Sequence, residues 1–279
     1  MKSFRINSNI FGRIGISLLL LTLIALVLYP YIWMFMTSFK FEADIVTFPP
    51  RLFANRFTFD AYWNIWERIP FLLFYRNTFI FAGGVTLLSL FFDCMAGYAF
   101  ARLRFRWRNA FFVMVLVTLM IPFQVIMIPL FAQLFHMGLI NTWAGLLLPR
   151  ATNGFGIFMM RQFFVTLPKG LEEAARIDGC SEFTIYWRIM LPLCKPAVLS
   201  LGIFHFMFNW NDLLYPLILT TTNDMRTLPA GLALFMGAHV REYAVIMAGG
   251  VLSLIPLLLA FIFAQKYFIK GIAMTGLKG

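Results

Sequence analysis

Three ionisable side chains interrupt otherwise apolar stretches of this sequence: Asp93, Arg150 and Asp212. A charge in hydrocarbon costs roughly 2.5 to 3.5 kcal/mol on insertion scales, so each needs a partner, a wet cavity or a function. Asp212 closes the run Asn209-Trp210-Asn211. That run sets amide donors and acceptors beside an indole face, the mixed surface a sugar requires. The same groups can also do no more than hydrogen-bond one helix to another. Arg150 can pair with Asp93 or with Asp212, or attract an anionic solute. Gln124, between Ile121-Pro122 and Pro129, is a further candidate for a solute path, although packing alone would explain it. No grouping for covalent chemistry accompanies these residues. His136, His205 and His239 lie far apart in sequence, and Cys94, Cys180 and Cys194 are too scattered for a metal knuckle or a redox pair. No catalytic residue, metal site or cofactor is expected on this chain. The motif Gly-x-x-x-x-Gly-Lys-Ser/Thr does not occur, so the phosphate cradle of an ATPase is missing as well.

The elements that must position these side chains are apolar helices. The chain has 279 residues, of which 61% are hydrophobic and 13% charged, against roughly 25% charged in an ordinary soluble domain. A window of about 20 apolar residues spans the hydrocarbon core as a helix, because only a helix satisfies its own backbone without water. Six such windows are predicted, near Ile14–Met36, Asn77–Phe100, Asn109–Phe135, Thr142–Val165, Pro196–Leu219 and Tyr243–Tyr267. Pro30, Pro122, Pro129, Pro149, Pro216 and Pro256 fall inside them, and the kinks they imply suit a bundle around a cavity. The first window follows a basic N-terminus but is too long for a cleavable leader and lacks a small-residue cleavage site. The expected fold is therefore an all-α membrane protein of six transmembrane helices.

The net charge of +11 would ordinarily raise nucleic acid as a partner. Its placement argues otherwise. One side of the predicted spans collects fifteen bases, among them Arg102, Arg104, Arg106, Arg108 and Lys169, against Glu172, Glu173, Asp178 and Glu182. The other side is nearly neutral, with Lys40, Arg51, Arg56, Arg68, Arg76, Arg226 and Arg241 against six acids. By the positive-inside rule the basic side is cytoplasmic, and both termini lie there. The run Arg102-Leu-Arg-Phe-Arg-Trp-Arg108 then belongs at anionic headgroups and not in a nucleic-acid groove.

The segment 167–192, between the fourth and fifth windows, is predicted to be a cytoplasmic helix-turn-helix. Thr166 can cap the first helix and Pro168 suits its first turn, with Leu171, Ala174, Ala175 and Asp178 on one face. Gly179 permits a positive φ, Ser181 can cap the second helix, and Leu191-Pro192 should end it. Phe183, Tyr186, Trp187 and Met190 recur at helical spacing. Periodicity alone allows two roles, a hairpin lying on the bilayer or one docking to a protein. The spacing is more specific. Glu173-Ala174-Ala175, three residues, Gly179, nine residues, Ile189, one residue and Leu191-Pro192 resembles the signature loop of the membrane subunits of ABC importers. Met160-Arg-Gln-Phe-Phe, Ala175-Arg-Ile-Asp-Gly, Phe208-Asn-Trp-Asn-Asp and the tail from Gln265 are similar to the second permease subunit of the maltose-type carbohydrate branch. Asp212 stands where many members carry Glu, and Arg150 inside a span is a larger departure.

The resemblance implies a single permease domain over residues 1–279, with the coupling loop 167–192 inserted in a cleft of a cytoplasmic ATPase. Glu173, Ala174, Ala175, Gly179, Ile189, Leu191 and Pro192 would form that joint. It further implies a second permease, two ATPase subunits carrying ATP and Mg, and an external solute-binding protein, all serving sugar import through a bacterial plasma membrane. A permease for another solute such as glycerol phosphate, an ion-coupled secondary carrier, and a scaffold that only recruits an ATPase remain alternatives.

Overall fold

The computed structural model describes residues 7–53, 55–238 and 242–276, with side chains described from 12 to 262 within those segments. Lys2, Arg5, His239, Arg241 and Lys278 lie outside the described residues, as do the side chains of the tail from Gln265. Among the described residues the regular structure is entirely helical: α1 (Asn7–Thr37), α2 (Glu42–Ile45), α3 (Asp60–Arg68), α4 (Phe71–Arg102), α5 (Arg108–Thr118), α6 (Phe123–His136), α7 (Trp143–Leu147), α8 (Gly154–Thr166), α9 (Gly170–Ile177), α10 (Glu182–Ile185), α11 (Leu191–Leu193), α12 (Lys195–Trp210), α13 (Leu214–Leu219), α14 (Leu228–Ala238) and α15 (Tyr243–Gly276).

Three of these are long and apolar enough to cross a bilayer alone, over Gly12–Thr37, Phe71–Arg102 and Tyr243–Ile262. The other three predicted windows are broken, not merely kinked at the prolines they contain. The third is α5 followed by α6, bent by 98°, and the break ends at Pro122, whose missing N–H cannot continue a helical ladder. The fourth comprises α7, a 3-10 turn at Leu148–Arg150 containing Pro149, and α8. The fifth divides at Asn211 into α12 and α13. Broken backbone at membrane depth is tolerated where protein side chains satisfy it, and such side chains sit at two of these breaks.

The chain divides into two compact units. In the first, Met1–Ile69 with Phe235–Leu254, α1 is strongly apolar and exposed along the whole of residues 12–32, with burial starting only at its end, at Thr37, a surface suited to lipid or another subunit. Beyond it Ser38 is buried and bonds the Phe35 carbonyl at 2.7 Å and the Tyr62 hydroxyl at 2.8 Å. Lys40 is buried too, donating to the Arg51 carbonyl and sitting 4.8 Å over the Trp33 ring; burial lowers its pKa against the opposing pull of Asp44.

In the second unit, Pro70–Leu234 with Ile255–Gly279, α4 is the spine against which α8 and α12 pack. The shared core includes Tyr98, Met160, Phe164, Met190 and Leu201. Gly97 sets the closeness of α4 and α8, because a Cβ there would lie 2.7 Å from Met160 Cβ and 3.0 Å from the Arg161 nitrogen. Gly97→Ala should thus force the helices apart and cost about 1 to 3 kcal/mol, read as a lowered unfolding midpoint in detergent. Gly83→Ala, with open space at its Cβ, should not lower the midpoint and should raise it if anything, since alanine favours the helix. A second core, of Phe81, Val85, Leu134, Leu146, Tyr215 and Leu219, joins α4 to the broken segments. Tyr215 donates there to the Gly145 carbonyl at 2.8 Å.

Candidate functional site

A cleft of about 820 Å³ opens beside α12 in the second unit. Phe123, Phe155, Phe204 and Phe208 supply apolar walls, and Gln124, Arg150, Asn211 and Asp212 supply polar groups. Arg150 pairs with Asp212 at 2.5 Å, donates to Asn209 Oδ1 at 2.9 Å and lies 4.2 Å over the Tyr215 ring. Its charge is thereby committed within the protein. Asp212 also accepts from the Tyr215 nitrogen at 3.2 Å, satisfying the start of α13. Of the residues the sequence proposed for a solute path, Gln124, Arg150, Asn211 and Asp212 line the cleft. Asn209 is buried beneath it, its amide donating to the His205 carbonyl at 2.7 Å. Trp210 is buried elsewhere, edge-on to Tyr75 at 5.4 Å and Phe79 at 4.9 Å, and does not line the cleft.

Asp93 serves the break in the fourth window. It is fully buried and accepts from Thr152 Oγ1 at 2.7 Å and the Asn153 nitrogen at 2.9 Å, while His205 Nε2 lies 3.1 Å from its second oxygen. Ser89, one turn earlier on α4, donates to the Arg150 carbonyl at 3.0 Å. The arrangement satisfies the unpaired backbone between α7 and α8 and ties it to α4 and α12. His205 is part of it. His205 and Asn209 stand at i and i+4 on one face of α12. Gly156 makes room for the cluster: a Cβ there would meet Asp93 Oδ2 at 2.0 Å.

The segment 167–192 does form two short helices around a turn. Gly179 holds φ +81° between α9 and α10, and Ser181 Oγ accepts from the Thr184 nitrogen at 3.3 Å. Three local expectations need correction. Thr166 does not cap α9; it is the last residue of α8, its hydroxyl donating back to Phe163. Leu191-Pro192 does not end the second helix, which passes through a π-helical turn at Tyr186–Met190 and continues to Leu193, then bends by 80° into α12. The shared face also differs: Glu172 and Ala175 point inward, whereas Leu171, Ala174 and Asp178 are exposed.

Glu172 is inward because Arg102 awaits it. Their side chains approach to 3.4 Å and are each 4% exposed. Arg102 also donates to the carbonyls of Phe164 and Leu167 at the end of α8, groups an α-helix leaves unpaired. Burial raises the Glu172 pKa, with Arg102 and Arg176 opposing it, whereas the hydrogen bond from Arg176 at 2.7 Å lowers that of Glu182. With Ala175, Ile185, Tyr186 and Met190 buried, the outer face is left to Glu173, Ala174, Ile177, Phe183 and Trp187. Phe183 and Trp187 stack at 6.3 Å while 63% and 50% exposed. Of the residues implied for the ATPase joint, Glu173, Ala174, Gly179 and Pro192 are exposed, Ile189 and Leu191 are half-buried, and Ala175 seats the hairpin.

Broken apolar helices around a mixed cleft, with an exposed hairpin at one end, define a subunit of a membrane transport system. The chain belongs to the family described as binding-protein-dependent transport system inner membrane component, the permeases of ABC importers, whose model matches residues 94–274. It is similar to the arabinooligosaccharides transport system permease protein AraQ of Halalkalibacterium halodurans, 43% identical over 195 residues and 70% of each chain. The protein of that name from Bacillus subtilis is 35% identical over 271 residues, 96% of each chain. Among solved structures, a chain of a bacterial ABC transporter involved in the import of the acidic polysaccharide alginate matches with a TM-score of 0.81, over 96% of this chain and 100% of that one, at 27% identity.

Proposed function

We propose that this chain is half of the solute path of an ATP-driven sugar importer in a bacterial plasma membrane, a single permease domain with both termini cytoplasmic. A second permease completes the path, and an external binding protein delivers the sugar. Two ATPase subunits bind ATP and Mg and grip the hairpin 167–192. The observation that carries this proposal is the two-sidedness of the hairpin. Its inner face is packed and ion-paired to α4 and α8, whereas its outer face leaves a stacked Phe183 and Trp187 bare. An exposed apolar patch of that kind marks a contact with another protein or with the bilayer, and the likeness of the 173–192 spacing to the signature loop of ABC importers favours the protein. ATP-driven closure of the ATPase pair would move the hairpin and rock the helices bound to it, the coupling being the difference in binding energy between the two states.

An uncharged sugar suits the cleft better than glycerol phosphate. Its phenylalanine rings can take the C–H faces of a pyranose, and Gln124 and Asn211 can bond hydroxyls. Arg150, the residue that suggested an anion, is spent on Asp212, Asn209 and Tyr215. The test is uptake into proteoliposomes by the complete complex, with single cysteines placed on the hairpin in a Cys180→Ser background. Uptake of a neutral oligosaccharide should require ATP and the binding protein. Ala174→Cys should cross-link to an ATPase subunit and Ala175→Cys, its side chain turned inward, should not. Sugar flux through the isolated chain driven by an ion gradient would favour a secondary carrier instead, and a complete complex without flux would favour a scaffold.

A further inference from the structure

A second cavity, of about 940 Å³, lies among the end of α4, the 103–107 loop, α8 and α9. Six bases line it: Arg102, Arg104, Arg108, Arg161, Lys169 and Arg176. Two are already neutralised, Arg102 by Glu172 at 3.4 Å and Arg176 by Glu182 at 2.7 Å. The remaining four face a single further acid, Glu173, so the cavity keeps an excess of three positive charges. Two of the four are held in place by the protein. Arg161 lies 4.1 Å over the Phe112 ring, and its buried Nε has no hydrogen-bond partner. Arg108 is oriented by a 3.2 Å bond to the Leu103 carbonyl. A buried guanidinium N–H without an acceptor is costly, and several cations lining the same cavity are complementary to a phosphate.

We propose that this cavity binds the headgroup phosphate of an anionic phospholipid. The lipid source follows from position. The cavity begins where the apolar helix α4 ends, at the depth of headgroups. Arg104, Phe105 and Arg108 are shared with an adjoining groove of about 520 Å³ along Trp107. Phe105 and Trp107 are 41% and 64% exposed, as aromatic residues at a membrane boundary commonly are. A bound headgroup would brace the base of the hairpin, whose Glu172 and Glu173 stand in the same wall. The leaflet is taken from the function proposed above; the site itself does not depend on it.

The experiment uses the full chain in neutral detergent, without ATPase or sugar, so its result is separate from the test of the transport role. Native mass spectrometry would compare phosphatidylglycerol with phosphatidylcholine of the same acyl chains. The unaltered chain should prefer phosphatidylglycerol at least thirtyfold. Arg104→Gln with Lys169→Gln, both on the cavity rim, should lose about thirtyfold of that preference. Arg51→Gln with Arg56→Gln, outside the cavity, should retain it, and equal unfolding midpoints would show that all variants fold. An unchanged preference in the first pair would overturn the site. Displacement of the lipid by millimolar inorganic phosphate would overturn the lipid source.

Discussion

Gly179→Pro is expected to abolish sugar-stimulated ATP hydrolysis by the assembled complex while the chain still enters the membrane. Gly179 holds φ +81°, and proline is fixed near −65°, so the turn between α9 and α10 cannot close as it does. Proline would also delete the bond from the Gly179 nitrogen to the Arg176 carbonyl at 3.1 Å. No other atom lies within 4 Å of a Cβ at this position, so Gly179→Ala tests backbone strain alone. It should cost about 1 to 2 kcal/mol and only weaken coupling. Glu173→Lys leaves the turn intact and reverses an exposed charge, and it should uncouple hydrolysis. The readouts are ATPase rate with and without loaded binding protein, and retention in the membrane after alkaline extraction. Normal coupling in both Gly179→Pro and Glu173→Lys would remove the docking role of the hairpin.

The hairpin was legible because local rules govern it. A glycine where φ must be positive, a serine before a short helix and alanines at close spacing act within a few residues of chain. Its inner partner was not legible, since nothing local links Glu172 to Arg102 across some seventy positions. Burying Glu172 rotated α9 and turned Ala174 outward, away from the face that hydrophobic spacing alone assigned it. The apolar windows were equally plain, but their continuity was not. Pro122 and Pro149 marked where kinks would fall, but nothing local told a kink from a full break, which at the second site depends on Asp93 reaching across from α4 to Thr152 and Asn153. Asp93, Arg150 and Asp212 stood out as charges needing partners, and the requirement held. Which partner each took depended on the fold: Asp93 went to Thr152, Asn153 and His205, leaving Arg150 to Asp212.

That division of partners gives the second large effect. Arg150→Met should destabilise the chain by about 3 kcal/mol, the lower end for breaking a buried pair, since the two side chains remain 17% and 11% exposed. Asp212 would be left as an uncompensated charge, and the ring contact with Tyr215 would be lost. Arg150→Met combined with Asp212→Asn removes both charges but keeps an oxygen for the Tyr215 nitrogen. It should recover much of the lost stability, because no uncompensated charge is left, while Asn209 Oδ1 still lacks the donor that Arg150 supplied. A double-mutant cycle on unfolding midpoints in detergent measures the coupling directly. Transport separates structure from recognition. If the pair only shapes the cleft, the double variant should import a neutral oligosaccharide at close to the normal rate, while Arg150→Met alone is impaired through its instability. If Arg150→Met proves as stable as the unaltered chain yet loses uptake, the guanidinium is available to the solute, and an anionic cargo would replace the uncharged sugar.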